Sequence, residues 1–127
     1  MPTPSSEPLR WWLTPGARRA WQLTLLGLAL FICWLAFSPA PPPEIDTGWD
    51  KSNHLLAFAT LAVTAQLAFW PHPRRLPFSV IGLLLYGGFI ELVQSQIPQR
   101  SGEWADLLAD AVGIALGLLL VRLWPRR

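Results

Sequence analysis

Seven side chains in this sequence form a set able to bind or react with a polar ligand. Lys51 and His54 are three apart, Glu91 and Gln94 three apart, and Asp106 and Asp110 four apart, with Arg100 between the last two pairs. Such spacings put each pair on one face of a helix. His54 with Glu91 or Asp106 offers an acid and a base, which makes these three the candidate catalytic residues. Lys51, His54, Glu91, Gln94, Arg100, Asp106 and Asp110 are the candidate ligand-binding residues. A guanidinium beside carboxylates suits a phosphate or carboxylate group, because its fork gives paired hydrogen bonds, and Lys51 can add a point charge. A divalent cation on Glu91, Asp106 and Asp110 is a further option, since oxygen ligands suit magnesium or calcium, but no ligand spacing singles out a metal or other cofactor. No nucleophile motif accompanies the set; Ser52 and Ser101 are merely nearby in sequence.

The elements that must position these residues are apolar. The 127 residues are 52% hydrophobic and only 14% charged, against about 25% charged in soluble domains. Proline-rich breaks divide the chain into an N-terminal segment, 1–20, whose prolines oppose a continuous helix, and one membrane domain, 21–124. Its spans are expected at about 21–37, 51–70, 76–97 and 104–124, each near the length needed to cross hydrocarbon. The fold class is therefore an all-α polytopic membrane protein, and short linkers make it an antiparallel four-helix bundle.

Helix rise places His54 about 6 Å, Glu91 about 10 Å and Asp110 about 9 Å in from one end of their helices. Three helices thus put polar groups in one layer at one side of the bundle. Ionisable groups at membrane depth are expensive and mark functional sites; buried acids and bases that satisfy each other are the competing, purely structural reading. Glu44 and Asp46 fall in the intervening loop, and Asp50 is placed to cap the second helix.

Arginine placement orients the chain. Eight of its ten cationic residues (Arg10, Arg18, Arg19, Arg74, Arg75, Arg122, Arg126, Arg127) fall on one side, whereas all acids but Glu7 fall toward the other. The arginine side is expected to be cytoplasmic, with both termini there and the polar layer on the outer side of an inner membrane. Trp11, Trp12, Trp21, Trp70 and Trp124 fit one interfacial belt and Trp49 and Trp104 the other, while Trp34 lies within the first span. That span is longer than a signal-peptide core and is expected to be retained. Cys33, the single cysteine, excludes an intrachain disulfide. The arginines are accounted for by topology, leaving no basic surface for nucleic acid. Gly113-x-x-x-Gly117 is a close-packing motif for the fourth helix, and Gly82, Gly87 and Gly88 offer the same to the third.

Asp50-Lys51-x-x-His54-x-x-Ala57-Phe58, Glu91-x-x-Gln94 with Pro98-x-Arg100, and Asp106-x-x-x-Asp110-x-x-Gly113-x-x-x-Gly117 together resemble the VanZ-like family, over residues 50 to 117 and, with the preceding span, nearly the whole chain. Asp110 departs from the asparagine usual there. The resemblance implies a multi-pass membrane protein of the cell envelope, in a family linked to resistance to the glycopeptide teicoplanin. It does not imply a defined reaction. The expected ligand is membrane lipid or a lipid-linked envelope precursor, bound by its anionic headgroup; an enzyme acting on such a headgroup and a structural or accessory subunit are the alternatives.

Overall fold

The computed structural model describes residues 14–69 and 73–124. Among them the chain is all-helical: α1 (Pro15–Phe37), α2 (Asp50–Phe69), α3 (Leu76–Gln94) and α4 (Trp104–Leu123), with single 3₁₀ turns at Pro43–Ile45 and Pro73–Arg75. All four helices are long and apolar enough to cross a membrane. Their outward faces carry Leu23, Leu30, Phe78, Leu85, Leu92 and Leu108, all well exposed. Apolar surface on that scale suits hydrocarbon, not water.

Two helix boundaries differ from those the sequence suggests. The first helix starts at Pro15 rather than Trp21: Thr14 accepts the Ala17 N–H at 3.2 Å as N-cap, and proline fits the first helical turn because no intrahelical partner is needed there. The third ends at Gln94 rather than Ile97. A short turn follows, in which the Arg100 N–H bonds back to the Ile97 carbonyl at 3.2 Å, with Pro98 and Gln99 at its centre. The φ of 70° at Gln99 completes a type II pattern. The expected end of the second span at Trp70, the 1–13 stretch with Arg10, Trp11 and Trp12, and the terminal Arg126 and Arg127 lie outside the described residues.

Gln22 Nε2, near the start of α1, donates to the carbonyl of Ala68 near the end of α2 at 3.1 Å, so α1 and α2 run antiparallel. The starts of α2 and α4 meet through Lys51 and Asp106, so those two run parallel. This is the up-down order, with one polar end where α2 and α4 begin and α1 and α3 finish.

α2 is the central element. Phe58, Leu61, Ala62, Ala65 and Ala68 are all buried, and its largest interface is with α4. Gly113 and Gly117 form that interface: a Cβ on Gly113 would run into the Leu55 carbonyl and the Ala59 nitrogen, and one on Gly117 into the Ala59 carbonyl. Gly82 and Gly88, by contrast, face open space. Gly113→Ala is therefore expected to lower stability by about 1–3 kcal/mol through overpacking. Gly88→Ala is expected to be neutral or slightly stabilising, because only helix propensity changes. Thermal melts of the detergent-solubilised variants check both.

Candidate functional site

Because α2 and α4 run parallel at glycine-set distance, side chains one turn apart on each helix meet in register. Lys51 Nζ lies 3.3 Å from Asp106 Oδ1 and 2.9 Å from Glu103 Oε2. One turn deeper, His54 Nδ1 lies 2.7 Å from Asp110 Oδ1. Asp106, Asp110 and His54 are buried, Asp110 completely. Carboxylates are tolerated at such sites only when paired and hydrogen-bonded. A short bond to a carboxylate requires the proton on Nδ1 when the ring is neutral, which turns the Nε2 lone pair away from α4.

α3 approaches from that other side. Glu91 Oε1 stands 3.5 Å from His54 Nε2, while Oε2 accepts the backbone N–H of Glu103 at 3.0 Å and ties the start of α4 to the end of α3. Two glycines permit the approach. A Cβ on Gly87 would strike Asp110 Oδ2, and one on Gly102 would strike the Glu91 carbonyl. Asp50 Oδ2 lies 3.9 Å from His54 Nε2. His54, Glu91 and Asp110 each present a ligand-capable atom within 4.8 Å of the others, as do Asp50, His54 and Asp106. Five of the seven candidate residues thus form one cluster pivoted on His54.

The remaining two serve α1. Gln94 Nε2 donates to the Ala36 carbonyl at 3.0 Å. Arg100 donates from Nε to Ala36 at 3.1 Å and from Nη2 to Leu35 at 3.3 Å. These are end carbonyls of α1 that lack intrahelical partners, and a guanidinium satisfies them with favourable charge. Arg100 nevertheless also lines the cleft that opens beside His54. Its more apolar part, with about 90 Å³ of room, has walls from Ile32, Leu35, Ala57, Phe58 and Ile90, and His54, Asp46, Asp50, Asn53, Gln94 and Arg100 also line it. Its mouth, about 280 Å³, is lined by Asp46, Asp50, Asn53, Gln99, Arg100 and Ser101. Lys51 turns to its two carboxylates instead of this wall. Glu91 Oε1, Gln94 Oε1 and Asp110 Oδ2 are buried with no hydrogen-bond partner.

Asp46, Asp50 and Asn53 were not among the residues the sequence points to as ligands. Asn53 organises the mouth: its Oδ1 accepts the Thr47 N–H at 2.9 Å and its Nδ2 donates to Asp46 Oδ1 at 2.8 Å. Asp46 also takes the Gly48 N–H, at a glycine with φ of 80°. The available signal was an asparagine in the first turn of a helix, where it competes for local backbone bonds. Asn53 foremost, then the Gly48 N–H, hold the Asp46 carboxyl below its ordinary pKa. The Lys51 hydrogen bond does the same for Glu103. Both contributions are present at neutral pH and disappear as pH falls through those lowered values.

A family model described as VanZ/LLP1 matches residues 20–125, which takes in all of this cluster. A Schizosaccharomyces pombe protein named "Uncharacterized protein C11E3.10" is 32% identical over 108 residues, covering 79% of this chain and 65% of its own length. The chain thus spans slightly under two thirds of that relative. No solved structure matches.

Removing Asp110 by alanine substitution leaves His54 buried without its acceptor, and the expected loss is about 3–5 kcal/mol. Glu103→Gln removes only a solvent-screened partner of Lys51, and its melting temperature is expected to match wild type. Melts of the two variants side by side make the comparison.

Proposed function

The chain belongs to the VanZ/LLP1 family and is a multi-pass membrane protein, and we propose that its cleft binds the anionic headgroup of a membrane lipid or lipid-linked envelope precursor. The observation that carries this reading is the two-part lining. A polar part lined by Asn53, Gln99 and Ser101 adjoins a more apolar part walled by Ile32, Ala57, Phe58 and Ile90, and Arg100 lines both. A ligand with a charged head and an apolar continuation matches that sequence of surfaces. Two Arg100 nitrogens are taken by α1, which leaves Nη1 for a ligand oxygen. Asn53 and Ser101 supply neutral polar contacts in the polar part. On this reading the mouth faces the outer side of a cell membrane, as the arginine distribution argues.

A second reading has one specific observation in its favour. His54 is oriented by Asp110 through Nδ1 and borders the more apolar part of the cleft, an arrangement suited to a general base acting on a water and a bound headgroup. Turnover lost in His54→Gln with lipid binding retained would select this enzyme reading over simple binding.

The binding reading is tested with full-length protein in neutral detergent, titrated with phosphatidylglycerol or phosphatidylcholine. A saturating ligand at about 100 times its Kd stabilises by about 2.7 kcal/mol, so the anionic lipid is expected to raise the melting temperature and the zwitterionic one to do so far less. Ala57→Trp fills the apolar part and Arg100→Gln removes the cation; both are expected to abolish the difference. Equal shifts with the two lipids, or a shift unchanged in Ala57→Trp, would sink the proposal.

A further inference from the structure

The cluster behind the cleft has an unusual balance. Asp50, Glu91, Glu103, Asp106 and Asp110 share one ammonium, Lys51, and one imidazole, His54. Carboxyl groups thus outnumber basic groups in the cluster, with Arg100 as the cation on the cleft side. Its buried atoms without partners are acceptors: Asp110 Oδ2 and Gln94 Oε1, on side chains that are 0% and 2% exposed, and Glu91 Oε1. Among the described residues the other such atom is Arg18 Nε, on α1's first turns and far from this layer. Of these, Glu91 Oε1 is the one that faces His54 Nε2, and a buried acceptor without a donor beside a ring nitrogen is a place for a cation.

Distances around His54 Nε2 indicate which kind. Glu91 Oε1 at 3.5 Å and Asp50 Oδ2 at 3.9 Å are too far for good hydrogen bonds. Two ligands each about 2.1 Å from a tetrahedral ion stand about 3.4 Å apart, which is the Nε2–Glu91 separation within a tenth of an ångström or so. On the other side of the ring, Nδ1 lies 2.7 Å from Asp110 Oδ1, placed to donate to it when the carboxyl is ionised. A ligating histidine held through its second nitrogen by a carboxylate is the usual outer support of metal sites, because it fixes the tautomer and raises ligand basicity.

We propose that His54 Nε2 and Glu91 Oε1 bind a divalent cation of the zinc or manganese class, with Asp50 as third ligand and Asp110 as the carboxylate that orients the ring. One imidazole with carboxylates favours such ions over magnesium or calcium, which prefer all-oxygen sets. Asp50 groups with His54 and Asp106, not with Glu91, so it joins the ion by rotation of a side chain that is 45% exposed. Asp106, within 4.8 Å of both Asp50 and His54, adds negative field while holding Lys51. The site rests on the cluster and does not need the cleft to take a lipid. Where both hold, the ion adds a second positive group, beside Arg100, for an anionic headgroup.

The test uses full-length protein carrying no histidine tag, stripped with chelator, dialysed against zinc or manganese, and analysed for bound metal per chain by mass spectrometry of the elements. Melting is followed in parallel. About one ion per chain and an upward melting shift are expected, both removed by Glu91→Gln or His54→Gln. Asp110→Asn is expected to weaken binding about 10–100-fold, as loss of an outer carboxylate does. Asp50→Asn, at a half-exposed position outside the packed core, guards against variants that fail to fold, and a drop of at least about 10-fold is expected there too. Substoichiometric metal in the wild type, or affinity unchanged in Asp50→Asn, would overturn the site whatever the lipid titrations show.

Discussion

The spacing between α2 and α4 governs the polar end of this protein. With Gly113 and Gly117 pressed against the backbone at Leu55 and Ala59, the two helices approach closely enough for the shortest acidic side chain to cross the gap. Aspartate is the residue found on α4 at both reaching positions, 106 and 110. α3 contacts the pair less extensively, and there the residue that reaches His54 is the longer Glu91. Parallel running is the second half of the constraint, since only parallel helices bring Lys51 to Asp106 and His54 to Asp110 at successive turns.

A hydrocarbon surrounding raises the stakes of each pairing. Water is not there to rescue an unpartnered group in the middle of a bundle, so polar atoms gather where a loop or cleft admits partners. Away from that end the described bundle is sealed by small apolar contacts: Ala62, Ala65 and Ala68 along α2, with Ile114 from α4. Between these regimes stand Tyr86 and Cys33, whose hydroxyl and thiol lie 3.2 Å apart and which carry a polar contact across the α1–α3 seam at mid-depth.

Much of this was legible in the sequence because membrane helices are written in long apolar runs and because spacing of three or four assigns a face. The four spans, the shared layer and the α4 glycine motif all follow from that. Helix starts were harder. Pro15 reads as a breaker until Thr14 is seen capping the turn it opens. The division of labour within the layer was not legible either, because it depends on which helix each side chain faces. Arg100 reads as an anion receptor, yet two of its nitrogens hold the end of α1. Lys51 reads as a supplementary cation, yet it is spent on Glu103 and Asp106. Asn53 stands out only as an asparagine in the first turn of a helix, and its role depends on where the preceding loop folds back.

The attachment of α1 has its own logic. Gln94 and Arg100 grip it at one end and Tyr86 at its middle, and the acceptor in each case is a main-chain carbonyl: Ala36, Leu35 and Ala29. At its other end Gln22 reaches out to a carbonyl of α2. A carbonyl is present whatever the side chain, so the bundle recognises α1 as a helix of the right length and depth more than as a particular string of residues. The information content of the fold is accordingly lopsided. α2, α3 and α4 are specified letter by letter where they meet, whereas α1 keeps particular letters at Gln22, Cys33 and Ala36 and is otherwise held through its backbone.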